Sequence, residues 1–535
     1  MITRAHPDAN RGTTRVMARA VVAVAFAVLG VACAGAPRTP DTIVIASGTD
    51  LEGMQPLTTV HPLSRQVQRY LVFTPLVRLA ADLSPEPWAA RSWSWNADRT
   101  QLGFAIDTSL RWHDGVPLTG VDARFTIELA RNRAAGYARR GDLDAIEHVT
   151  THGTDSLIVT FARSQLEVPL VFAELPLLPE HLLRNVPAAA LRKHPFTYAP
   201  IGSGPYRVVS REAGRRWILE RVAAFPARLG GVASTKTLVI AVVDEATTKV
   251  AGLVSGALDM AGVNPATATL VRRDPTLRVL DYPTFFTNWL VFNPACAVLG
   301  DVRMRRAIAL AVDRRRIVDA GVGGFGVPSA AYSADLARDT TRADTLRADS
   351  LLDAAGWTRG SDRMRQRDGT RLEIPMLTVS SGDNPVEQLL QSDLRARGIS
   401  LRIATRDMGA LLSSARTRSP DHCVVYTGVA GDPARSQLAA LFDPAASGGA
   451  LDFGAARPAS AASAFARLRT TTDTAARSAA WRDVFAVLND SVPATPIFHS
   501  RGVQGLTRRL QHVTIDLRGE LYSAARWTLR DRELK

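Results

Sequence analysis

The stretch from Arg111 to Phe125, reading RWHDGVPLTGVDARF, constrains the fold more than any other part of the chain. It predicts a strand, a tight turn and a helix in quick succession. Asp114-Gly115 is a turn signal, since glycine tolerates positive φ and aspartate bonds its own backbone. Thr119 stands where a helix N-cap belongs, ahead of Val121, Phe125 and Leu129 at helical spacing. Asp122 falls in the first turn, where a negative charge favours the helix dipole. Read from its residue types alone, the stretch is a well-punctuated strand–turn–helix. At 535 residues the chain exceeds one ordinary core and needs two or three domains.

The N-terminus reads as an export signal. Arg4, Arg11, Arg15 and Arg19 precede an apolar run from Ala20 to Ala32, followed by Cys33-Ala34-Gly35-Ala36-Pro37. Thirteen apolar residues span roughly 20 Å as a helix, short of the ~30 Å hydrocarbon core. Cys33 among small residues is similar to a bacterial lipobox cysteine, the lipid attachment site. It departs from the usual pattern, because Leu29 is four residues before the cysteine and Gly30 three. Ordinary cleavage after Ala34 is the alternative. Residues 34–40 then form a tether.

The formal charge of +14 is carried by arginine; there are only four lysines, Lys193, Lys236, Lys249 and Lys535. The arginines are scattered without an aromatic-interleaved basic patch, so a nucleic-acid partner is not expected. Cys296 and Cys423 are the other cysteines. Export would allow them to pair, but Cys423 lies in an apolar run where a buried free thiol is common, and the pairing stays open.

Further motifs follow. Leu178-Pro-Glu-His181 and Pro200-Ile-Gly-Ser-Gly-Pro-Tyr206 come first. Asp301-Val-Arg-Met-Arg-Arg-Ala-Ile-Ala-Leu-Ala-Val-Asp-Arg314 is a capped helix with Met304, Ala307, Ile308 and Ala311 on its buried stripe. Leu351-Leu-Asp-Ala-Ala-Gly-Trp357 ends a helix at Gly356. Together with the Trp112-His-Asp-Gly115 stretch, these resemble the family 5 extracellular solute-binding proteins, which serve peptide- and nickel-type ABC importers. The resemblance spans about residues 41 to 535. It implies an α/β, two-lobe periplasmic-binding-protein-like fold of type II, with an extra β-rich subdomain. Lobe one would comprise 41–285 plus 505–535, with the subdomain inserted at about 62–195, and lobe two 286–504. Residues 67–79 read as a helix broken at Pro75.

The same resemblance implies a ligand cleft. Its candidates are Glu52, Gly53 and Met54 in the loop after the first strand; Phe286, Asn288 and Trp289 on a strand crossing between lobes; Ser381 and Asp383 in a polar loop; and Tyr426, Thr427, Gly428, Val429 and Asp432. In peptide-binding relatives an aspartate at the place of Val429 holds the peptide α-amine. Valine cannot pair with an ammonium, so the usual anchor is absent. Trp88, Trp93, Trp95 and Trp112 read as packing residues rather than a sugar-stacking surface.

The expected function is capture of a peptide or peptide-like solute for a membrane ABC permease, by a monomer lipid-anchored outside the cytoplasmic membrane. No cofactor or metal is expected. A non-peptide solute (metal chelate, haem or saccharide) and a sensor without transport are the alternatives. An enzyme is disfavoured, since the chain has no nucleophile elbow, zinc motif or Walker loop. Gly321-Val-Gly-Gly-Phe-Gly326 follows a helix rather than a strand and fails as a dinucleotide motif.

Overall fold

The computed structural model describes residues 41–530, apart from residues 60, 331, 333–341, 380–383, 432–434, 447–451 and 472. Cys33 and the cleft candidates Ser381, Asp383 and Asp432 lie outside the described residues.

The Arg111–Phe125 stretch folds as its residue types dictate. The Thr119 hydroxyl accepts the Val121 N–H, and the Asp122 carboxylate reaches back to the Thr119 N–H at 2.8 Å. These bonds cap helix α1 (Gly120–Arg131). The neighbouring motifs converge on the turn. His113 Nδ1 accepts the Gly202 N–H at 3.2 Å, so Nε2 carries the proton toward the Gly204 carbonyl at 3.0 Å. Asp114 pairs with His181 Nε2 at 3.0 Å. A Cβ on Gly202 would sit 1.9 Å from the Val72 carbonyl oxygen, and one on Gly204 2.4 Å from that of Leu71. The glycines are there for close backbone approach.

That approach also corrects the helix expected over 67–79. His61 and Pro62 start it earlier, at Pro62–Val67, and a π-helical turn carries it only to Val72. There the Val72 carbonyl turns to accept the N–H groups of Ser203 and Gly204. Val77–Leu79 is a strand.

The first half begins with β1 (Thr42–Ser47). A small sheet follows, built from β2 (Ala90–Trp95), β3 (Gln101–Ile106), β4 (Ile146–Thr151) and β5 (Ser156–Phe161), in spatial order β2-β3-β5-β4. The chain then returns to the large sheet through β6 (Tyr206–Glu212), β7 (Arg216–Arg221), β8 (Thr237–Val242) and β9 (Met260–Gly262). Next come β10 (Leu277–Phe292), β11 (Glu373–Val379), β12 (Ser400–Arg406), β13 (Val424–Ala430) and β14 (Ala494–Thr507). The eleven-stranded sheet is ordered β12-β11-β13-β10-β14-β9-β1-β8-β7-β6, with Gly326–Pro328 paired on β14.

Apolar residues separate into distinct cores along this sheet. The largest takes residues between Ile43 and Tyr282 and returns for Leu506 to Trp527. Two others draw only on residues between Trp289 and Phe498. This is the two-lobe arrangement, with β10 and β14 passing from one set of cores to the other.

The cysteines are paired: Cys296 and Cys423 form a disulfide, with Cα atoms 5.1 Å apart, so Cys423 is not a free thiol. It ties the segment after β10 to the start of β13. Part of the arginine excess is spent inside. Arg314, 2% exposed, donates to the carbonyls of Ser329, Pro496 and Ala309 and to the Thr495 hydroxyl. Arg305 ties together the carbonyls of Leu299, Gly300, Ser491 and Val492. Such forked multi-carbonyl ties suit guanidinium better than ammonium.

Candidate functional site

Where β10 and β14 cross, they pair antiparallel from Leu277↔Thr507 to Val291↔Ala494. The register slips between Pro283 and Thr287 and again between Asn288 and Trp289. β13 flanks β10 on its other side, from Phe286↔Ala430 to Phe292↔Val424. Beside this crossing lies a cavity of about 830 Å³. One wall is the small sheet and its loops: Asp82 to Pro85, Trp93, Trp95, Arg99 and Leu166 to Val168. The crossing strands give Thr284, Phe285, Thr287 and His499, and the second half gives Tyr332, Gly431, Arg435, Gln437 and Leu438. A second cavity of about 430 Å³ shares Leu83, Pro85, Leu166 to Val168 and Arg435 with the first, and reaches the helix α2 (Thr474–Ser491).

The floor is fixed by packing. Trp289, Tyr332 and Phe442 form a trio with ring centroids 5.6 to 6.1 Å apart, and the Tyr332 hydroxyl donates to the Ala494 carbonyl. His499 Nδ1 lies 2.8 Å from the Thr287 hydroxyl, and burial lowers the imidazole pKa, keeping it neutral. Charge on the lining is mixed: Asp82 and Glu167 on the small-sheet side, Arg99 beside them, Arg435 opposite. Hydrogen bonds from Ser84 hold the Asp82 carboxyl below its ordinary pKa.

The described candidates from the sequence fall beside this cavity's lining, not on it. Of the loop residues, Glu52 is exposed, Gly53 is buried against Thr197 and Met54 is fully enclosed in the first core. On β10 the lining is Thr284, Phe285 and Thr287; Phe286 and Asn288 face the other side of the sheet. There the Phe286 ring covers Gly428, and Asn288 bonds the Ser500 hydroxyl at 2.9 Å and Tyr426 at 3.3 Å. Trp289 lies beneath the floor. Tyr426 and Thr427 are buried, and Val429, 2% exposed, belongs to the apolar core with Trp289 and Leu438. Trp93 and Trp95 pack against the first core, as their reading as packing residues expects, and their half-buried outer sides also line the cavity. The signal for the lining was strand parity, and the two register slips in β10 hide it.

Among the described residues no group of three or more His, Cys, Asp or Glu is placed to hold a metal ion. Nor is any helix among them long and apolar enough to cross a membrane.

Two α/β lobes joined by crossing strands, with a solute-sized cavity where they meet, define a two-lobe binding protein of the periplasmic type. The chain belongs to the bacterial extracellular solute-binding proteins, family 5, whose model matches residues 84–449. A Brucella ovis protein named as an ABC transporter peptide-binding protein is 27% identical over 274 residues, covering 50% of this chain and 51% of that protein. The chain thus spans about half the length of the first curated relatives it matches. The dipeptide-binding protein of Escherichia coli is 23% identical over 90% of this chain and 93% of its own length. Among solved structures, NikZ from Campylobacter jejuni in complex with Ni(L-His) superimposes with a TM-score of 0.75 at 21% identity, covering 92% of this chain and all of NikZ.

Proposed function

We propose that this protein is the solute-binding component of an ABC importer, capturing a peptide or peptide-like solute between its lobes for a membrane permease. The observation carrying this reading is the cavity at the crossing strands, lined from both halves. Lobe one then comprises 41–285 and 505–535 with an inserted subdomain at about 62–195, and lobe two 286–504. The separation of the apolar cores supports these limits. Closure is a hinge motion about β10 and β14. Binding needs desolvation and hydrogen bonds, not catalysis. A dipeptide-binding relative matched over nine-tenths of the chain supports the peptide class.

Val429 favours one second reading, a non-peptide solute such as a metal chelate, haem or saccharide, because no carboxylate stands at the amine-anchoring place. Native mass spectrometry of the purified mature protein separates the two. A ladder of masses fitting peptides supports the first; one discrete non-peptide adduct overturns it.

The mature protein is exported and anchored by lipid on Cys33, as a monomer. The disulfide suits an oxidising compartment. Cys33→Ser moves the protein out of the membrane fraction; unaltered partitioning would show that Cys33 is not the anchor.

A further inference from the structure

We infer that Trp93 and Trp95 form an aromatic-ring subsite of the cleft, selecting solutes that carry a planar ring. This rests on the cavity at the crossing strands being the ligand site. Trp93 and Trp95 are two residues apart on β2, the edge strand of the small sheet, and so share one face. Trp93 is in register with Phe104, and Trp95 with Leu102. Their inner sides pack on the sheet's apolar layer, with Trp93 6.5 Å from Phe104 and Trp95 5.8 Å from Phe161, centroid to centroid. Phe104 and Phe161 are 1% and 3% exposed, whereas both tryptophans stay half-buried and line the cavity. The apolar face of the sheet thus runs past the end of its own core and into the cleft.

The platform is held in place before any solute arrives. The Arg99 guanidinium lies 5.0 Å from the Trp95 ring centroid and donates to the carbonyls of Gln165 and Leu166. That fixes the loop whose Leu166 and Val168 lie on the same wall. Two half-buried indoles and two aliphatic side chains recognise a flat apolar group by stacking and area, without reading its hydrogen bonds. The solute class is therefore ring-bearing: a peptide with an aromatic side chain in preference to one with an aliphatic side chain of similar bulk.

The test is calorimetric titration of the mature protein with Ala-Phe-Ala, Ala-Leu-Ala and free p-cresol, using wild type, Trp95→Ala and Trp95→Phe. Circular dichroism establishes that each variant is folded. Wild type is expected to prefer Ala-Phe-Ala by roughly 3- to 10-fold, Trp95→Ala to lose the preference, and Trp95→Phe to keep most of it. Equal affinity for the two peptides, or a preference surviving in Trp95→Ala, overturns the subsite and leaves the peptide reading intact. If neither peptide binds but p-cresol does, in a manner lost in Trp95→Ala, the peptide reading falls and the subsite stands. If none of the three probes binds, the subsite is overturned with it.

Discussion

The motif junction of the first lobe and the cavity beside the crossing strands differ in where their polar groups are directed. At the junction, both His113 ring nitrogens, Asp114, His181 and the N–H groups from Gly202 to Gly204 are bonded to one another or to the Val72 carbonyl. These groups are turned toward one another and hold the turn in place. Around the cavity, Glu167 and Gln437 share the lining with half-buried rings. The most recognisable residues build the scaffold, while the cavity lining is drawn mostly from other positions. Recognising the family therefore locates the cleft without naming its contents.

The sharpest way to break this contrast is at Val429, which the family resemblance sets at the place of a ligand anchor but which packs in the core. Val429→Asp buries an unpaired carboxylate and costs about 4 kcal/mol in denaturant unfolding. An unchanged midpoint with tighter binding of free-amine peptides would return the residue to the ligand site. Second is the covalent tie of lobe two. The Cys296–Cys423 bridge spans 127 residues, and replacing both cysteines with alanine removes about 3 kcal/mol. Third, Gly202→Ala drives a methyl into the Val72 carbonyl, costing about 2–3 kcal/mol with the solute affinity of the folded fraction unchanged.

The fourth prediction concerns pH. Burial pushes the His113 imidazole from its ordinary 6.5 down to about 4. Between those values the unfolded chain binds the proton and the folded one does not. Stability is therefore full above pH 6.5 and falls on acidification, by roughly 3 kcal/mol near the lower end. Unfolding curves across this range for wild type and His113→Gln measure the slope, which the variant flattens. The smallest effect is at the lining: Glu167→Gln changes stability by under about 0.5 kcal/mol. It weakens binding of amine-bearing solutes in the same titrations, and an unchanged affinity would place the amine elsewhere.

Much of the scaffold was legible because capping and turn chemistry are local. Thr119 with Asp122, Asp301 with the buried stripe Met304, Ala307, Ile308 and Ala311, and Gly356 at positive φ all act as their residue types require. The helix over 67–79 was not legible, since a carbonyl at Val72 is claimed by N–H groups about 130 residues further on. The lining was hidden for a different reason. Parity along β10 is broken where its register slips between Pro283 and Thr287, so the adjacent Thr284 and Phe285 both line the cavity, with Thr287, while Phe286 and Asn288 do not. The disulfide depends on β13 lying beside β10, a pairing across more than a hundred residues.

The crossing strands have a mechanical consequence. Because β10 and β14 are each other's hydrogen-bond partners along most of their length, the link between the lobes is a ribbon and not two loose cords. A ribbon bends and twists readily, whereas in-plane shear would break its ladder. Parting of the cavity walls is confined to a few angular freedoms, with the register slip beside Pro283 as the softest place. On the function proposed above, occupancy of the cavity would be broadcast to the outside as an angle, legible to any partner that touches both lobes, whatever the chemistry of the solute within.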